Sequence, residues 1–303
     1  MLSRRRSLGL LAAALTATPI ARAAQERTAR LKVVASFSIL ADLVRNVGGD
    51  RVAVDALVGP DGDAHVYEPS PADSRRVADA GLIVVNGLGF EGWLDRLVAA
   101  AAARAPVLVA SAGVTPRADD EAAMRLDAAP DPHAWQSVAN VKRYVANIRD
   151  ALARIDPAGA GAYAAAAAAY LTRLDALDRA IKDAVAKIPS VRRRVITAHQ
   201  AFGYFADAYG IAFVAPQDMS ADAEPSARAV ARVITQIRTQ HIPAVFLENV
   251  VDPRLIAAIA RETGARIGGT LYSDALTGPD GPAPTYVDLM RHNLRTLVAA
   301  LAP

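Results

Sequence analysis

The sequence predicts an α/β protein of two lobes, each a four-stranded parallel sheet with flanking helices, joined by one long rigid helix. Three observations predict it. Short apolar runs alternate with amphipathic stretches from Leu31 to Ala110, the pattern of strands and helices in a parallel sheet. The segment Gly161–Ile188 then runs without a proline and keeps one apolar face. Beyond Pro189 the strand–helix alternation begins again. At 303 residues the chain has room for two modest domains.

In order, Leu31–Ala35 reads as a strand and Ile39–Val47 as a helix ending at Gly48-Gly49. Val52–Val58 is a second strand that runs into the turn residues Gly59-Pro60-Asp61-Gly62, and this loop carries His65. Ser70-Pro71-Ala72-Asp73 reads as a helix start, with Ser70 the N-cap, Pro71 where a missing N–H costs nothing and Asp73 acidic in the first turn. Helix to Ala80, strand Leu82–Val85, helix Trp93–Ala103 and strand Val107–Ala110 follow. Gly113–Pro132, with three prolines and the acids Asp119, Asp120 and Glu121, is a surface loop that ends at Asp131-Pro132-His133. A helix over Ser137–Ile155 closes the first lobe. In Gly161–Ile188, Tyr163, Tyr170, Leu174, Leu177, Ile181, Val185 and Ile188 share one helical face, and Pro189 stops the helix. The second lobe reads as strands Arg194–Ala198, Ile211–Ala215, Ala244–Leu247 and Arg266–Leu271, interleaved with helices Phe202–Tyr209, Ser226–Gln240 and Pro253–Thr263. Tyr286–Leu301 is the closing helix. The expected organisation is a leader over 1–23, lobes over 24–158 and 190–303, and a linker helix over 159–189.

The leader reads as a signal peptide: basic Arg4-Arg5-Arg6, an apolar stretch Leu8–Ile20, and the cleavage pattern Ala21-Arg22-Ala23. Its apolar run of about 13 residues is short of the roughly 20 needed to span a bilayer. Arg5-Arg6-Ser7-Leu8 fits a loose twin-arginine pattern, but export by the Sec route to the periplasm is the expectation. Leaving out Arg4, Arg5, Arg6 and Arg22, the chain keeps 30 basic residues against 31 acidic ones, so nucleic acid is dropped as a partner. Cysteine is absent, which excludes disulfides, thiolate metal ligands and a lipid-modified cysteine.

Ligands in open parallel sheets sit beyond the carboxyl ends of the strands. Of the five histidines, His65, His133 and His199 follow strand ends, His133 after an intervening loop. His241 precedes a strand and His292 lies inside the last helix, so both are expected to be structural or solvated. Three histidines at strand ends in two lobes point to a metal. Glu248 and Asp274 are the carboxylates placed at strand ends of the second lobe.

The stretches GPDGDAHVYEPSPAD, DPHAW, ITAHQAFGYFADAYG, FLENVVDPR and LYSDALTGPDGPAPTYVDLMRHN, in that order, closely resemble the zinc/manganese solute-binding proteins of ABC importers. These are the cluster A-I, ZnuA-like proteins, and the nearest look is to the AztC-like branch. The resemblance covers essentially the whole mature chain and implies the ligand set His65, His133, His199 and Asp274. It further implies a non-enzymatic carrier that docks on an ABC permease and its ATPase, expected to be a monomer. Two departures stand out. Ala64 occupies a position where many relatives have proline, and Gly113–Pro130 lacks the histidine-rich character of many zinc-binding relatives, which argues against loop-assisted capture.

Three neutral imidazoles and one carboxylate around a dication leave a formal charge near +1, and they fill the four positions zinc favours. No position is left for an activated water, and the H-E-x-x-H motif of metalloproteases is missing. A periplasmic metal-dependent hydrolase is therefore the weaker reading, and a binder of an organic solute is disfavoured by only 5% aromatic residues. Adhesion, a label some relatives carry, is secondary to transport. His199 points to Zn2+, with Mn2+ the alternative. Glu248 or Asp63 is expected to support a ligating imidazole. Release is expected to need only a local rearrangement, with Asp274 as the moving ligand.

Overall fold

A computed structural model describes residues 30–117, 130–216 and 226–302. The leader, most of the acidic loop and the acids Asp119, Asp120 and Glu121 fall outside the described residues.

The first sheet is built from β1 (Leu31–Phe37), β2 (Val52–Val58), β3 (Leu82–Val85) and β4 (Val107–Val109) in the order β2-β1-β3-β4, all parallel. Central β1 and β3 are nearly continuous apolar runs because helices cover both their faces, whereas edge strand β4 leaves Val107 and Val109 partly exposed. The flanking helices are α1 (Ser38–Gly48), α2 (Pro71–Ala78), α3 (Leu94–Ala100) and α4 (Val138–Ile155). The predicted start of α2 is present in full. Ser70 Oγ accepts from the Asp73 amide, and the Asp73 carboxylate accepts from the Ser70 amide.

α5 (Ala160–Ala186) is the long helix, 27 residues and so about 40 Å. Every residue of its predicted apolar face is buried, and Ala167 fills the gap between Tyr163 and Tyr170. Asp156 anchors its entry, accepting from Arg51 Nε (2.8 Å) and from the Tyr163 hydroxyl (2.7 Å).

The second sheet takes the order β6-β5-β7-β8, from β5 (Arg194–Ile196), β6 (Ala212–Val214), β7 (Ala244–Glu248) and β8 (Arg266–Leu271), again all parallel. Helices α6 (Gly203–Tyr209), α7 (Ala227–Gln240), α8 (Arg254–Thr263) and α9 (Tyr286–Leu301) complete it. In β8, Gly268 lies against Phe246, where an added Cβ would come within 2.5 Å of the ring, and Gly269 has φ +128°. Only a glycine at 268 lets this strand pass Phe246. His241 caps the end of α7 in the left-handed region (φ 50°), and the His292 ring nitrogen lies 3.1 Å from the Thr270 carbonyl. Neither belongs to the cluster that the other three histidines form with Asp274.

The two sheets share a core. One apolar cluster runs from β1 and α1 through α4 and α5 to Phe205, Phe246, Leu271 and the inner face of α9. A smaller cluster, including Val233, Ile237 and Ile256, covers the other face of the second sheet. Among the described residues no helix is long and apolar enough to cross a membrane.

Candidate metal centre

The carboxyl ends of both sheets converge on one point. His65 comes from the loop after β2, His133 from the segment after β4, His199 from just after β5, and Asp274 from just after β8. One ligating atom from each lies within 4.8 Å of the others. His65 Nε2 is 3.2 Å from His133 Nε2, and His199 Nε2 is 3.1 Å from Asp274 Oδ2. Asp274 presents both oxygens to the imidazoles, Oδ2 3.7 Å from His65 and Oδ1 3.6 Å from His133. His133, His199 and Asp274 are fully buried, and the His65 side chain is nearly so.

The local sequence explains how each candidate ligand is held. In both Asp63-Ala64-His65 and Asp131-Pro132-His133 the aspartate Oδ1 accepts from the histidine amide two residues on, at 2.8 and 2.9 Å. The peptide group just before every ligand is also held by a side chain from another element. Trp93 Nε1 donates to the Ala64 carbonyl and Asn86 Nδ2 to the Pro132 carbonyl. Glu248 Oε1 accepts from the His199 amide and from the Ala198 amide before it, and Trp135 Nε1 and Gln136 Nε2 both donate to the Ser273 carbonyl. Asn86 is fixed in turn by Glu91, which accepts from its amide, and by Tyr144, which donates to its Oδ1.

Two imidazoles have carboxylates behind them. Asp131 Oδ1 is 2.9 Å from His133 Nδ1. Glu248 Oε2 is 2.9 Å from His199 Nδ1. Of the two expected supports, Glu248 therefore faces a ligand ring, while Asp63 meets the His65 amide. Asp131 went unforeseen, although the Asp-x-His spacing it shares with Asp63 was readable in the sequence. Arg117 lies behind Asp131 at 3.7 Å and donates to Asp207. Gly203 makes room for this pair, since a Cβ there would come within 2.5 Å of Asp131 Oδ2. Phe37, Phe90 and Trp135 form an aromatic wall on the first-sheet side, with Phe90 4.6 Å from His65 and Trp135 5.3 Å from His133.

Burial alone would raise the Asp274 carboxyl, but the charges of His133, His199 and His65 hold it well below the usual carboxylate range. Burial alone would lower His199, yet Glu248 and Asp274 together raise it well above the ordinary imidazole value. The pocket favours positive charge at its centre. Imidazoles backed by carboxylates, with Asp274 Oδ1 buried and lacking a hydrogen-bond partner among the described residues, form a donor set suited to a divalent transition metal.

Residues 33–300 match the family described as ZnuA, zinc-uptake complex component A, periplasmic. The chain is 38% identical over 274 residues to the manganese-binding lipoprotein MntA of Halalkalibacterium halodurans, covering 90% of this chain and 89% of that protein. It is 35% identical to the iron-binding protein YfeA of Yersinia pestis, covering 88% and 85%. The solved structure of the periplasmic zinc binding protein TroA from Treponema pallidum superimposes with a TM-score of 0.85 at 29% identity, covering 91% of this chain and all of that one. The chain therefore belongs to the ZnuA family, metal-binding substrate-binding components of ABC transporters that carry a metal ion and are not enzymes.

Proposed function

We propose that the protein is a periplasmic carrier that holds one Zn2+ between its lobes through His65, His133, His199 and Asp274 and delivers it to an ABC permease and its ATPase. The observation that carries the reading is the set of four ligating atoms within 4.8 Å at the buried meeting point of the two sheets. Three imidazoles favour zinc over manganese, in line with the Irving–Williams order. In this reading residues 1–23 direct export by the Sec route, 24–158 and 190–303 are the two metal-binding lobes, 159–189 links them, and the carrier is a monomer.

Manganese is the second reading, and one observation favours it. Asp274 turns both oxygens toward the imidazoles, so the site can offer three nitrogens and two oxygens, more than a tetrahedral zinc needs. The relative named for manganese points the same way.

The test is elemental analysis by plasma mass spectrometry of the mature, untagged protein purified without chelators, beside His199→Ala. The expected result is about one zinc per chain, lost in the variant. Manganese in place of zinc selects the second reading. A chain that takes up neither metal, even after reloading with each, refutes the carrier reading.

A further inference from the structure

Three of the four supports behind the ligands stay within one lobe: Trp93 to Ala64, Asn86 to Pro132, and Glu248 to Ala198. The fourth crosses. Trp135 Nε1 and Gln136 Nε2, in the short 3-10 turn right after His133, both donate at 2.8 Å to the carbonyl of Ser273, right before Asp274. Two lone pairs of one carbonyl are thus taken by two donors from the opposite lobe. All four groups are sealed from water: Trp135, Gln136, Ser273 and Asp274 are each fully buried. The turn is itself pinned from the second lobe's last helix, because the Tyr286 hydroxyl donates to the Trp135 carbonyl at 2.8 Å.

From this crossing we infer that Gln136, with Trp135, is a positioning residue for the metal centre. By gripping the Ser273 peptide it keeps the Asp274 carboxylate of one lobe aimed at the imidazoles of the other, which slows loss of the metal. The inference rests on the proposed metal reading. It also reverses the sequence-based expectation that Asp274 is the moving ligand: a carboxylate whose preceding peptide is gripped by two side chains of the opposite lobe, in a dry interior, is not free to swing. Gln136 has no other evident task, since its Oε1 is buried without a hydrogen-bond partner among the described residues.

The test compares Gln136→Met, which keeps volume and loses the donor, Trp135→Phe, and the double variant, each loaded with Zn2+ and separately with Co2+. Metal dissociation is followed with a chelator in excess. Each single change is expected to speed dissociation about five- to tenfold, the size of one buried hydrogen bond, with little change in association. The visible d–d bands of the Co2+ form are expected to shift as the carboxylate is misplaced. A purely structural role would lower the thermal midpoint of the metal-free protein and leave the dissociation rate and the Co2+ spectrum alone; that outcome overturns the inference. If the wild-type chain takes up no metal, or His199→Ala holds it as well as wild type, the metal reading itself has failed.

Discussion

Asp73 shows how much one buried side chain does for the chain around the site. Its Oδ2 accepts from the Ser70 amide and hydroxyl, both at 2.7 Å, and from the Tyr67 hydroxyl at 2.9 Å, while Arg76 pairs with Oδ1. These contacts tie α2 to the loop that presents His65. Burial by itself raises the Asp73 carboxyl, but the Ser70 and Tyr67 hydrogen bonds and the Arg76 charge bring it below its ordinary value of 3.8. A carboxyl with a lowered folded pKa adds stability above its unfolded value and loses it as pH falls through the folded one. Asp73→Asn is therefore expected to cost about 2 kcal/mol at neutral pH. The gap to wild type should close in acid below 3.8, measured by urea unfolding across pH. A gap that persists in strong acid would show that the charge is not what stabilises the turn.

Residues of this kind differ in how far sequence reveals them. Ser70, Pro71 and Asp73 were readable because a cap is a local device, settled within four positions. Asn86, Trp93 and Gln136 were not, because their partners lie 46, 29 and 137 positions away. No local pattern encodes such a distance.

At the scale of elements, α5 carries the main structural consequence. Its buried stripe belongs to one apolar cluster with residues of both sheets, so the helix is shared core as well as connection. Leu174, fully buried near its middle, tests this. Leu174→Ala is expected to cost about 2–5 kcal/mol through the cavity it leaves. Because the core is continuous, the metal-free protein should lose this stability in a single transition seen alike by far-UV circular dichroism and Trp fluorescence. Separate transitions, with only one shifted by the substitution, would mean that the lobes fold independently. The stripe was legible because a 3.6-residue period persists over seven turns. Ala167 was passed over, since a small side chain carries little hydrophobic signal although it packs as tightly as its neighbours.

At the scale of the molecule, the site exists only where the two sheets meet, and its chemistry couples to the solvent through protons. A metal needs the imidazoles neutral, so protons compete with it. Affinity for Zn2+ is expected to fall as pH drops, starting above the ordinary imidazole value near 6.5 because Glu248 and Asp274 raise His199, by up to about tenfold per pH unit for each imidazole that must give up a proton. Competition titrations with a chromophoric chelator from neutral to mildly acidic pH measure this. A flat profile would count against three histidine ligands.

The two strand–helix alternations, the long helix between them and the three histidines at strand ends are legible in the amino-acid sequence alone. They are legible there because hydrophobic period, turn chemistry and capping act over a few residues, and because a parallel sheet sends its loops to one edge. Through resemblance the sequence also singled out Asp274. The folded chain alone reveals that Asp131 and Glu248 face the rings of His133 and His199, that Arg117 and Gly203 complete one of those supports, and that Trp135 and Gln136 reach across to the peptide before Asp274. Those contacts join segments far apart in the chain, and their geometry follows from how two sheets pack around one shared helix.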